Sequence, residues 1–349
     1  MQRLLASASL AVFGAVALLV LGFAGCSKSG GGAAAGAPRF AFVTNGPSEF
    51  WTLAAAGVAA AKAEVGCDTL VRMPASGAVD EQKRLLEDVL ALGVQGIAVS
   101  PCDPDNLTPL LDQLAKQTLL VTHDSDAPKS QRRCFVGIDN YDAGRLAGKL
   151  LAEACPNGGP VVLFLGNLDQ DNAKRRRQGL LDELAGRARD PQRFDPAGSV
   201  LTVGKFEVRA TYTDQFDRQK TKQQAQDALT RWPDLVAMVG MFAYQPPILL
   251  DVLRSGQKLG AVKIVAFDED AQTLQGIVDG HVHATVVQDP YEYGRQSILL
   301  LDRLHKAADE GARAAVLPKN GVLDVPVRAL RKADVPGFQQ DLATKLGRK

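Results

Sequence analysis

From Phe40 to Ala308 short β-rich apolar runs alternate with longer stretches of helical periodicity, and this alternation constrains the fold more than any other feature. Strand candidates are Phe40–Thr44, Asp68–Arg72, Gly96–Ser100, Leu119–Thr122, Phe135–Ile138, Pro160–Leu165, Val200–Phe206, Leu235–Val239, Lys263–Phe267 and Ala284–Gln288. Between them lie stretches such as Phe50–Val65, Val79–Leu92, Leu107–Gln117, Tyr141–Glu153, Ala173–Leu184, Thr221–Arg231 and Tyr291–Ala308, with apolar residues three and four apart. Parallel strands need a crossover, so a βαβα series of this length predicts an α/β fold of parallel sheets with helices on both faces. The chain beyond residue 38 is long for one core, and two lobes of roughly 150 residues are expected. Such sheets bind ligands beyond the carboxyl ends of their strands, where the topology switches.

The start of the chain has a different logic. Arg3, an apolar stretch from Leu10 to Leu21, and then Phe23-Ala24-Gly25-Cys26 have the basic head, apolar core and small-residue exit of an export signal. The core is short for a bilayer span. Residues 1–25 are therefore read as a signal peptide and Cys26 as the mature start. The tail resembles a bacterial lipobox, in which the cysteine is acylated, although Phe23 stands where that family usually has Leu. An ordinary secretory signal with a chance cysteine is the alternative. Residues 26–38, rich in Ser, Gly and Ala, form a flexible tether. An exported envelope or periplasmic protein, lipid-anchored through Cys26, is expected.

With 40 basic and 39 acidic residues, the charge balance gives no nucleic-acid surface. Cys67, Cys102, Cys134 and Cys155 form no CxxC pair, so no metal site is expected. Three disulfide pairings are open if any forms, and buried thiols are favoured. No GxxxxGK[ST], HExxH or GxSxG segment occurs. No cofactor is expected.

Arg176, Asp268 and Gln288 stand beside or just past apolar strand runs, where polar groups at a sheet rim can grip a ligand carrying several hydroxyls. Phe50-Trp51, Val121-Thr122-His123-Asp124, Gly137-Ile138-Asp139-Asn140 with Gly144, Asn172-Ala173 with Arg176 and Gly179, Phe216-Asp217-Arg218, Asp268 and Gln288 occur in an order that resembles a periplasmic ribose-type sugar-binding protein, the substrate-binding component of a bacterial ABC importer. The similarity runs from about Arg39 to about Val327. Lactose-repressor-like regulators share the pattern, but an export signal precedes Phe40 where they have a helix-turn-helix.

The resemblance implies two Rossmann-like lobes of the type I periplasmic binding protein fold, joined by three crossings near Asp139-Asn140, Gln288-Asp289 and Asn320–Leu323. Residues 39–139 with 289–320 would form the N-terminal lobe, and 140–288 with 321–349 the C-terminal one. Closure about such a hinge would trap the ligand and present a composite surface to a membrane permease served by a separate ATPase. A monomer is expected. The ligand would be a monosaccharide or polyol, because aromatic plates cover the C–H faces of a sugar while charged groups take its rim of hydroxyls.

Phe50, Trp51 and Phe216 are the implied plates, Arg176 the implied gripping guanidinium, and Asp124 and Asp268 the implied hydroxyl acceptors. For the two aspartates helix capping is the alternative, for Arg176 a shifted register within Lys174–Arg177, and for Gln288 a hinge role. Ser125 falls where ribose binders carry arginine, Phe242 where they carry asparagine, and Ser48 at another family asparagine with Asn45 nearby. These departures make the pocket less polar and disfavour ribose itself, with Tyr244 or Gln245 as compensating contacts. Two other classes stand beside this reading. One is a ligand-binding partner of a chemoreceptor or sensor kinase; the other is a carbohydrate-active enzyme using Asp124 and Asp268.

Overall fold

The computed structural model describes residues 36–347. The signal segment 1–25, the Cys26 anchor and most of the tether lie outside the described residues. Strands β1 (Arg39–Val43), β2 (Asp68–Arg72), β3 (Gly96–Val99), β4 (Leu119–His123) and β5 (Phe135–Gly137) alternate with helices α1 (Phe50–Val65), α2 (Val79–Ala91) and α3 (Pro104–Ala115). The chain then crosses into α4 (Asn140–Ala154), β6 (Gly159–Leu165), α5 (Asp171–Leu184), β7 (Leu201–Val203), β8 (Phe206–Thr213), α6 (Arg218–Arg231), β9 (Ala237–Gly240), α7 (Gln245–Ser255), β10 (Lys263–Phe267), α8 (Ala271–Asp279) and β11 (Ala284–Val287). It returns through α9 (Pro290–Lys306), α10 (Glu310–Val316) and β12 (Val322–Asp324), and ends in β13 (Arg328–Leu330) and α11 (Val335–Lys345).

Two sheets result, ordered β12-β5-β4-β3-β1-β2 and β13-β11-β10-β9-β6-β8-β7. The first is wholly parallel, whereas the second has antiparallel partners only at its edges, β13 against β11 and β7 against β8. β3 and β4 are buried along their whole length, which explains why their sequences read as continuous apolar runs. This is the two-lobed α/β architecture that the alternation predicts.

Two crossings run straight into helix caps. Asp139 accepts from the Tyr141 and Asp142 N–H groups at the start of α4, and Asp289 caps α9 with Pro290 at its first position. The third lies elsewhere than expected. β12 pairs in parallel with β5 in the first sheet, Val322 opposite Phe135, so the boundary at 320/321 is wrong and the chain crosses between Asp324 and Arg328. A three-residue strand has too little sequence to reveal which sheet edge it will complete.

Val200–Phe206, read as one strand, is a hairpin instead. Gly204 turns it at φ 58°, and a Cβ there would lie 2.2 Å from the Leu184 carbonyl oxygen. Helix α7 carries Pro246 and Pro247 in its first turn, where their missing N–H groups cost nothing. Glycines bring the main helix pairs together in both lobes. A Cβ on Gly144 of α4 would sit 2.0 Å from the Arg176 carbonyl oxygen of α5, and one on Gly57 of α1 would sit 1.9 Å from that of Tyr291 in α9. Cys67, Cys102, Cys134 and Cys155 are buried free thiols, with burial pushing Cys102 up to about 12.

Candidate ligand-binding site

β4 and β10 end in the same local device. Asp124 and Asp268 both adopt left-handed backbone angles, φ 57° and 64°, a region that aspartate tolerates better than most residues. Each N–H donates to a carbonyl of the neighbouring strand, Asp124 to Val136 at 3.1 Å and Asp268 to Val286 at 2.8 Å. The kink turns both carboxylates into one cavity between the lobes. Neither is a helix cap.

Around Asp124 the two lobes are already in contact. Its Oδ2 accepts from Ser100 Oγ at 3.0 Å, from Asn172 Nδ2 at 3.2 Å and from Asn45 Nδ2 at 3.3 Å, and its carbonyl accepts from Asn140 Nδ2 at 3.1 Å. Asn45 and Ser100 belong to the first lobe, Asn140 and Asn172 to the second, so the cleft is closed. Across it Arg176 is 1% exposed; its Nε donates to Asn140 Oδ1 at 2.8 Å and its Nη1 to the Met241 carbonyl at 3.1 Å. Nη2 lies 3.7 Å from Asp124 Oδ1 and has no hydrogen-bond partner among the described residues. That spare donor is what a gripping guanidinium needs. Of the basic run Lys174–Arg177 only Arg176 lines the cavity; Arg175 is paired with Asp171, and Arg177 is bound to Thr211 and two carbonyls.

Burial raises the pKa of both aspartates, and the Arg176 charge opposes the rise. Asp268 is held up at about 6. Its Oδ1 accepts from Gln288 Nε2 at 2.6 Å, and Tyr293 Oη donates to Gln288 Oε1 at 2.7 Å, which fixes the amide with its nitrogen toward the carboxylate.

The aromatic residues form opposed surfaces. Phe50 and Trp51, in the first turn of α1, meet edge to face with centroids 4.9 Å apart. From the second lobe come Phe216, Phe242 and Tyr244, with centroids 5.9 to 6.3 Å apart. Gln215 and Phe216 are both left-handed, at φ 57° and 64°, and the Phe216 N–H donates to buried Asp214 at 2.9 Å. The space left between these groups is small, about 420 Å³ with its mouth included.

Asn45, Ser48, Phe50, Trp51 and Asp124 line this cavity from the first lobe; Arg176, Phe216, Phe242 and Asp268 do so from the second, with Gln288 at a crossing. Ser125 does not. The left-handed turn at Asp124 folds the chain back, pairing His123 with Ser125, and leaves Ser125 buried with its N–H on Ser100 Oγ at 3.3 Å. Tyr244 lines the cavity with its ring, but its hydroxyl donates to Asp214, and both ends of the Gln245 amide are engaged within the second lobe. Neither offers the compensating polar contact expected. Asn172 also lines the cavity, a contact that the sequence reading does not assign to it. Its position four residues before Arg176, on the same helix face, was the signal that pointed to it.

Residues 40–309 match the model of a family described as a periplasmic binding protein domain. The chain belongs to that family. As a periplasmic binding protein it is 26% identical over 235 residues to the ribose import binding protein of Salmonella typhimurium strain LT2, covering 66% of this chain and 72% of that one. It is 27% identical to GanP, a glucose-galactose binding protein from Geobacillus stearothermophilus, with a TM-score of 0.74 over 86% of this chain and 99% of that one. A solute binding protein from Burkholderia graminis, in complex with D-arabinose, shares the fold with a TM-score of 0.75 at 22% identity, covering 85% and 96%. The family and these neighbours are binding proteins rather than enzymes, and the enzyme alternative is set aside.

Proposed function

We propose that this chain is the substrate-binding component of a bacterial ABC importer and that it holds a neutral monosaccharide or related polyol in the cleft. The observation that carries this reading is the pairing of two left-handed strand-end carboxylates with a buried guanidinium that keeps one donor free, between two sets of aromatic rings. A carboxylate accepts from sugar hydroxyls, the guanidinium donates to them, and rings cover C–H faces. The names of the ribose and glucose-galactose binding relatives support the same ligand class. Residues 39–137 with 290–324 would form one rigid lobe and the rest of the described chain the other. Their closure about three short crossings would create the face that a permease reads.

The signal-like residues 1–25 and the lipobox-like Phe23-Ala24-Gly25-Cys26 support export and acylation at Cys26, with the tether holding the protein at a membrane surface. A thermal-shift screen of neutral monosaccharides and polyols, with amino acids as comparators, tests the ligand class. Stabilisation by one or a few sugars is expected; stabilisation by amino acids alone would overturn the reading.

A further inference from the structure

We infer that the ligand of this cleft is a monosaccharide with a deoxygenated or methyl-bearing edge, and that this edge lies against the wall of Phe216, Phe242 and Tyr244. The inference rests on the sugar reading above and narrows it. Hydrogen-bonding capacity in the cavity is concentrated on Asp124, Asn45, Asn172 and Arg176, linked by contacts of 3.2 to 3.7 Å, and on Asp268 with Gln288. The aromatic wall offers none in its place. Tyr244 donates its hydroxyl to Asp214, a fully buried carboxylate that also accepts from Gln245 Nε2 at 2.7 Å, Thr221 Oγ1 at 2.8 Å and the Phe216 N–H at 2.9 Å.

Two backbone donors along the wall are committed as well. The Met241 and Phe242 N–H groups both donate to Gln245 Oε1, at 3.0 and 3.2 Å. Asp214 is therefore a positioning residue. It fixes the left-handed turn that presents Phe216, and it turns the polar end of Tyr244 away from the ligand. A sugar hydroxyl pressed against these rings would lose its water and gain no partner, whereas a methyl or methylene group would gain ring contacts.

Calorimetry on the full mature chain with matched pairs tests this: D-fucose against D-galactose, L-rhamnose against L-mannose, and 2-deoxy-D-ribose against D-ribose. In the best-binding pair the deoxy sugar should be about ten- to a hundredfold tighter, the range in which an apolar pocket discriminates against an added hydroxyl. Phe242→Asn, which supplies a donor and an acceptor, should reduce or reverse that ratio, while Phe242→Leu should keep its direction; a circular dichroism spectrum would confirm folding of each. A parent sugar binding at least as tightly as its deoxy partner in the best pair would overturn the inference and leave the sugar reading standing, as would a ratio indifferent to Phe242→Asn. If no carbohydrate binds, the sugar reading itself fails and takes this inference with it.

Discussion

On the buried Arg176 guanidinium, Nε and Nη1 are committed to Asn140 and Met241, and Nη2 alone is left to reach a ligand. Arg176→Lys keeps the charge but not the fork, so ligand affinity should fall more than tenfold, corresponding to about 1.5–3 kcal/mol for a hydrogen bond to a charged group. Arg176→Ala does more. It strands buried Asp124 and Asp268 without their common cation, and urea unfolding should show a loss of about 3–5 kcal/mol; an alanine variant as stable as the native protein would contradict this electrostatic picture. Asp268 makes the site sensitive to pH. Its folded pKa of about 6 stands above the 3.8 of an ordinary aspartate, so this group destabilises the ligand-free closed form above pH 6, and the penalty is relieved as pH falls from 6 toward 4. Ligand hydroxyls donate to the ionised form, so affinity should be level above pH 6 and decline below it. A flat affinity profile from pH 7 to 5 would show that Asp268 is not an acceptor.

Elements differed in how much of them the sequence disclosed. The central strands were legible because burial on both faces leaves an unbroken apolar run, as in β4 and β10. β12 and β13 were not, since three residues carry no periodicity and their partners lie far away in sequence. The same limit applies within the site. Asp139, Asp217, Asp270 and Asp289 cap helices, while Asp124 and Asp268, the same residue type just past the ends of strands, do not. What separates them is a left-handed φ set by the neighbouring strand, which no local pattern reveals. At Asp124 that turn is also what keeps Ser125 out of the cavity lining. The α4–α5 pair gives an element-scale test: Gly144→Ala would force its Cβ to 2.0 Å from the Arg176 carbonyl oxygen, pushing the first turns of α5 and Arg176 with them. About 1–3 kcal/mol of stability should be lost, as for other overpacked contacts, together with ligand affinity. Stability lost with affinity untouched would show that α4 does not position Arg176.

At the scale of the whole molecule, the site exists only when the lobes are together, because Asn172 and Arg176 meet Asp124 across the cleft. Ligand should therefore shift the protein from open to closed, seen as a smaller radius of gyration by small-angle scattering. At a hundredfold excess over Kd it should add about 2.7 kcal/mol of stability. An unchanged scattering profile would indicate a cleft closed before the ligand arrives. Asp289 lies at one crossing and pairs with Lys345 of α11 at 2.6 Å, tying the last described helix to the hinge. The central claim is that a single sugar is held by the carboxylates and guanidinium of this cleft. Titration calorimetry of the best-binding sugar into the native protein and into Asp268→Asn tests it most directly. The account expects one site per chain with a micromolar or tighter Kd, worth about −8 kcal/mol, and a loss of more than tenfold in the variant; equal affinity in the two proteins, or no heat with any neutral sugar, would contradict it.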